Sequence, residues 1–261
     1  ARLRVLCFAD YPYDNNTKLF EIIHGVKREI PLSEAGFSGF ELNSADAGTI
    51  VTLLDFADDA YRPSQKTFVL FDRKSRPLCC AAQDATSGTY INMHDFSDAI
   101  KNRNISILIF DSPMKSMLEI AWELRKSKTG VEYLIASQGE VLSGGFDYTS
   151  LCSNVFDAVN NTTIEIAKKI ASESSYPYYP SQEPDKRSLA LIDLARIEEA
   201  VQDHMSDVID QCESLYEDDP SLLDEARFAA HFYYSIPWYI DWVEFLRVLS
   251  GGIPNHTIDA F

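Results

Sequence analysis

The residues best placed to do chemistry are Phe110-Asp111-Ser112-Pro113, where an apolar run ends and an amphipathic pattern begins. α/β enzymes present nucleophiles at such junctions. Ser112 qualifies only with a base to take its proton. The histidines at 24, 94, 204, 231 and 256 are scattered, and none stands in a similar strand-end position. As a helix N-cap, Ser112 would instead accept from backbone N–H groups of the next turn, with Pro113 in the first turn where a missing N–H costs nothing. Asp111 has two readings: an anion favoured near a helix N-terminus, or an internal acceptor for loop N–H groups.

Other chemistries lose their anchors. No GxSxG, HExxH, P-loop or dinucleotide fingerprint occurs. Gly144-Gly145 is a weak phosphate signal. The cysteines at 7, 79, 80, 152 and 212 are odd in number, with neither CxxC nor zinc-type spacing. No disulfide framework, metal site or cofactor is implied. Cys7 and Cys212 read as core residues, leaving Cys79-Cys80 as the pair to watch.

The elements that position these residues follow from hydrophobic periodicity. Arg4–Ala9, Thr67–Phe71, Ile105–Phe110 and Tyr133–Ala136 read as buried strands. Helical spacing is read over Thr17–Ile30, from Asn43 through Ala57, over His94–Ile100, after Pro113, and from Phe156 to Ile170. Alternating strands and helices predict an α/β fold with a mostly parallel sheet covered on both faces, and ligands beyond the strands' carboxyl ends. Domain organisation is expected as an α/β core over 1–171, a Tyr-, Pro- and Ser-rich linker over 172–187, and a helical C-terminal extension over 188–261 packed on the core. In that extension one long helix runs through Leu194 and Cys212, and a second stretch, Phe228–Leu249, is interrupted at Pro237.

The 261 residues carry 23 Lys and Arg against 40 Asp and Glu, a net charge of −17. That balance disfavours nucleic acid and anionic membranes, which need clustered cations. No apolar run is long enough for a membrane helix, and the first residues lack a charged-then-apolar signal pattern.

Phe110-Asp111-Ser112-Pro113-Met114-Lys115-Ser116-Met117-Leu118-Glu119-Ile120-Ala121-Trp122-Glu123-Leu124 resembles the clostripain family of cysteine peptidases, which have a caspase-like α/β/α fold. Its pattern there is Phe-Asp-Ala-Cys, then Glu, then apolar-Ala-aromatic-Glu-Leu. Tyr133–Tyr148, Glu41–Ile50, Ser87–Phe96 and Tyr239–Arg247 are similar to further family segments in the same order. The resemblance places the family's nucleophilic Cys on Pro113 and its His on Arg73, in a run Asp72-Arg73-Lys74-Ser75-Arg76-Pro77 shorter than the family loop. Proline has no nucleophile and arginine cannot accept a proton. The family's acidic residue for a basic side chain at the cleavage site falls on Asp111, and Glu140 adds charge nearby.

The resemblance thus implies a member without the catalytic pair, binding peptides or proteins with Arg or Lys side chains through Asp111 and Glu140. Two alternatives stay open: a hydrolase using Ser112, Cys79 or Cys80, and a structural or surface interaction module. A bacterial, secreted or cell-envelope location is implied by resemblance alone.

Overall fold

A computed structural model of the protein describes residues 3–11, 16–72, 80–139, 141, 145–158, 160–173, 189–230 and 239–249. Its centre is a four-stranded sheet of β4 (Lys66–Phe71), β7 (Ile105–Asp111), β8 (Tyr133–Ser137) and β9 (Leu189–Asp193), in the order β4-β7-β8-β9. The pairs β4–β7 and β7–β8 are parallel, whereas β9 returns antiparallel beside β8. Residues 189–193 therefore join the sheet before the C-terminal helices begin.

Strand β7 explains the layering. Its side chains alternate between two cores, as strand geometry requires. Leu108 and Phe110 enter a cluster with Leu54, Phe96, Ile120, Leu124 and Leu194, while Ile107 and Ile109 enter another with Phe146, Leu151, Ile166 and Ile170. The first core lies under α1 (Ala47–Tyr61), α2 (Met93–Ile100), α3 (Leu118–Lys126) and α6 (Leu194–Asp218); the second lies under α4 (Tyr148–Asp157) and α5 (Thr163–Glu173). The helices α7 (Pro220–Ala229) and α8 (Trp242–Val248) close a smaller cluster against α6 around Val208, Ala226 and Leu246.

The segment expected as a helix over Thr17–Ile30 is instead a hairpin of β2 (Asn16–Ile23) and β3 (Val26–Ile30), with β1 (Val5–Tyr11) completing an antiparallel three-stranded sheet. The spacing of Leu19, Ile22, Ile23 and Val26 fits a helix, but β-branched residues suit the pleated surface better. His24 and Gly25 decide the matter. Both have positive φ, 51° and 76°, the backbone of a two-residue turn matched to strand twist. Glu21 then pairs across strands with Arg4 and Arg28, at 2.6 and 3.2 Å.

Two other helices differ in extent. The single pattern from Phe156 to Ile170 is split into α4 and α5, because Thr162 starts a new helix with Glu165 accepting its N–H at 2.9 Å. The C-terminal stretch from Phe228 divides into the end of α7 and α8, and Pro237 and residues 174–188 lie outside the described residues. The remaining strands, β5 (Ala82–Gln83) and β6 (Tyr90–Ile91), form a short hairpin beside the site.

Phe96 is fully buried between Phe68 and Phe110, whereas Phe156 is 55% exposed. Urea denaturation should find Phe96→Ala destabilised by about 3–5 kcal/mol and Phe156→Ala close to wild type. Equal costs would contradict the assignment of the principal core.

Candidate functional site

The carboxyl ends of β4, β7 and β8 lie side by side, where open α/β sheets bind ligands. β7 delivers Asp111 there because the four residues before it, Ile107 to Phe110, are apolar and fully buried, so the strand ends at its first charged side chain. Asp111 itself is fully buried. Its Oδ2 accepts from the Phe146 N–H at 3.0 Å and the Tyr148 hydroxyl at 2.8 Å. Tyr148 opens α4, whose N-cap Asp147 accepts from the Thr149 and Ser150 N–H groups. The Asp111 carboxyl group thus sits beside the start of α4 rather than α3.

Ser112 and Pro113 do not start the next helix. α3 begins at Leu118, after Met117, with no side-chain cap. The chain leaves β7 through a turn in which Met114 takes φ 55°, and Met114, Lys115 and Ser116 donate their N–H groups to carbonyls of Gly139 and Ser137. These bonds tie the post-β7 loop to the end of β8, which is why the helix is delayed. Ser112 Oγ is buried and has no hydrogen-bond partner among the described residues, so no base addresses it. Pro113, in contrast, is only partly buried at the turn.

Two residues that sequence reading missed complete this edge. Lys115 is fully buried and donates from Nζ to the Cys80 carbonyl at 2.6 Å. Asp72, after β4, accepts the Gln83 N–H at 2.5 Å. Both grip residues 80–83, which therefore wall the site. Asp72 carried the signal of a carboxylate ending an apolar strand. Lys115 carried none, since it stands in a helix-like pattern where a lysine reads as solvent-facing.

Arg73, Cys79 and Glu140 lie outside the described residues. Cys80 is buried. Cys7, expected from the sequence as a core residue, is instead exposed on β1, because β1 belongs to the small antiparallel sheet and not to the central one. Burial pushes the thiols of Cys152 and Cys212 above the usual cysteine value, away from the thiolate a nucleophile needs. Of the described histidines, His24 is in the β2–β3 turn, His94 is on α2 and His204 on α6. None belongs to a loop that follows β4, β7 or β8. His94 pairs with Glu123 at 3.0 Å, and that bond, helped by Asp98, raises its pKa. Among the described residues no group of His, Cys, Asp and Glu could hold a metal ion, and no helix is long and apolar enough to cross a membrane.

A sheet with helices on both faces, with its site at the ends of the parallel strands, defines a caspase-like α/β/α protein. Solved structures agree. A secreted C11 cysteine protease from Bacteroides thetaiotaomicron, bound to an irreversible peptide inhibitor, is 16% identical with a TM-score of 0.69, over 98% of this chain and 70% of that one. An inactive zymogen C11 protease from Parabacteroides distasonis is 19% identical with a TM-score of 0.65, over 99% and 69%. A further secreted C11 protease from B. thetaiotaomicron, iotapain, is 14% identical with a TM-score of 0.66, over 98% and 71%. No curated protein matches the chain. The family model of the clostripain peptidases matches residues 24–245, and the chain belongs to that family.

Tyr148→Phe removes one donor to the buried Asp111 while keeping the ring. Since Tyr148 is 39% exposed, water replaces part of the loss, and chemical denaturation should register about 1–2 kcal/mol of destabilisation. An unchanged midpoint would mean that the hydroxyl does not hold the carboxylate.

Proposed function

We propose that this clostripain-family protein does not hydrolyse peptides and acts by binding. The observation that carries this reading is Pro113 at the family's nucleophile position, at the turn that leaves β7. Peptide hydrolysis of this type needs a thiolate to attack the scissile carbonyl and an imidazole to protonate the leaving amine. Pro113 supplies no sulfur, and the buried Ser112 hydroxyl next to it has no base as a partner among the described residues. Backbone donors near the strand ends would have no covalent intermediate to stabilise. An exported location belongs to the same reading, drawn from the family and from the secreted proteases it resembles.

Recognition of Arg or Lys side chains through Asp111 is the form of binding that the site supports best. A carboxylate is retained at the strand end where the family resemblance places its basic-residue pocket. The contacts from Phe146 and Tyr148 already occupy Oδ2, so a basic ligand must displace or share them. Tyr148, being partly exposed at the start of α4, is the element that yields. A guanidinium offers the carboxylate paired donors in place of one N–H and one hydroxyl.

Fluorogenic peptides with Arg or Lys before the reporter test both parts, assayed with and without a thiol-alkylating reagent and titrated for binding. The expected result is no turnover, with binding that Asp111→Asn weakens at least tenfold, a loss of about 1.4 kcal/mol or more. Turnover abolished by alkylation would overturn the non-hydrolytic reading. Binding indifferent to Asp111→Asn, with the variant still folded, would leave the carboxylate as an internal acceptor.

A further inference from the structure

At the far side of the wall formed by residues 80–83, three oxygens meet from three parts of the chain. Asp10 is near the end of β1, Ser44 lies just before α1, and Asp84 follows β5. Ser44 Oγ is 2.7 Å from Asp10 Oδ2 and 3.1 Å from Asp84 Oδ2. A hydroxyl has one proton and cannot donate to both. Both contacts become hydrogen bonds only when a second proton is present, in the order Asp10 carboxyl to Ser44 hydroxyl to Asp84 carboxylate.

Asp84 is the fixed acceptor at the end of this chain. It is buried, and it takes the Thr86 and Ser87 N–H groups and the Ser87 hydroxyl on Oδ1, with the Ser44 N–H on Oδ2. Asp10 has no such support. Its Oδ1 is buried without a hydrogen-bond partner among the described residues, as is Oε2 of Glu41 nearby. The charged groups facing Asp10 are Asp84, beyond β5, and Glu41, in the loop before α1. Its cross-strand partner on β2 is the neutral Thr17, and the charged groups that act on it most strongly are both carboxylates.

We propose that Asp10, Ser44 and Asp84 form a proton-operated latch, which fastens the N-terminal three-stranded sheet to the wall of the candidate site when the Asp10 carboxyl is protonated and weakens that junction when it is not. The latch is positioned to matter at the site because residues 80–84 are held at one end by Asp72 and Lys115 and at the other by Ser44 and Asp10.

The titration supports the geometry. Burial pushes Asp10 up, the Ser44 hydroxyl opposes this, and the Asp84 and Glu41 carboxylates add to the rise, to about 6. Burial also acts upward on Asp84, but the N–H groups of Ser87 and Ser44 and the Ser87 hydroxyl outweigh it, bringing it down to about 2. The signs are opposite. Asp10 is raised in the folded protein, so its contribution is full below the ordinary carboxyl value of about 3.9 and is lost as pH rises through about 6. Asp84 is lowered, so its contribution is present above about 3.9 and is lost as pH falls through about 2. The junction is tightest in mild acid and looser at neutral pH.

Hydrogen exchange of peptides spanning residues 5–30 and 80–91, each referred to the β7 strand at the same pH, tests this on wild type, Asp10→Asn and Ser44→Ala. In wild type the relative protection should fall about tenfold from pH 5 to pH 7.5. Asp10→Asn keeps a permanently neutral donor toward Ser44 and should stay protected at both pH values. Ser44→Ala breaks the relay and should be weakly protected at both. A wild type without pH dependence, or an Asp10→Asn variant that follows wild type, would overturn the latch.

Discussion

A charged side chain buried at the end of an apolar strand must be satisfied from within the fold, and the edge of this sheet is arranged around that requirement. Asp111 is placed by β7 directly after four fully buried hydrocarbon residues, Ile107 to Phe110, and is itself fully buried, so water cannot serve it. Phe146 and Tyr148 come to it instead, and in doing so they fix where α4 starts. Lys115 and Asp72 meet the same demand by taking a carbonyl and an N–H from residues 80–83. Among the described residues, the edge of the sheet beyond β4 and β7 is therefore tied to residues 80–83 and 146–148 by buried polar side chains.

The family's peptidase scaffold and the proposed loss of its chemistry are compatible because they rest on different residues. Layering depends on alternating apolar residues in β7 and β8 and on the helices that cover them. None of these is altered by a proline at the turn after β7, where the chain already leaves the sheet and Met114 adopts a left-handed conformation. On the proposed reading, a proline there takes the nucleophile's place without removing a ladder hydrogen bond. Asp111 is different, since it is a member of the buried network as well as the proposed ligand contact. Keeping Asp111 preserves the fold of the edge whether or not a ligand uses it.

The sequence makes the central strands legible because each is a short continuous apolar run bounded by polar residues. The long helix through Leu194 and Cys212 is legible because its stripe persists over many turns. The β2–β3 hairpin is not, since Leu19, Ile22, Ile23 and Val26 satisfy both periods and only His24-Gly25 marks the turn. β9 is short and follows directly on a polar stretch, which hides it from a periodicity reading. At the site, Asp111 stands out as a charge ending a buried run. Ser112 and Pro113 read as a helix start because their types fit one; what displaces the helix is a set of backbone bonds to Ser137 and Gly139, which no residue type announces. Lys115 hides for a similar reason, since its burial depends on a carbonyl from a segment 35 residues away in the chain.

The most direct test of the non-hydrolytic reading is covalent rather than kinetic. The protein would be incubated with a peptidyl acyloxymethyl ketone bearing Lys or Arg next to the reactive carbon, and its intact mass measured. A thiolate aligned with a peptide groove captures such a reagent irreversibly even when turnover is too slow to follow. The predicted result is an unchanged mass. A stoichiometric adduct blocked by a competing Arg or Lys peptide would contradict it, and mapping the modified cysteine would identify the nucleophile.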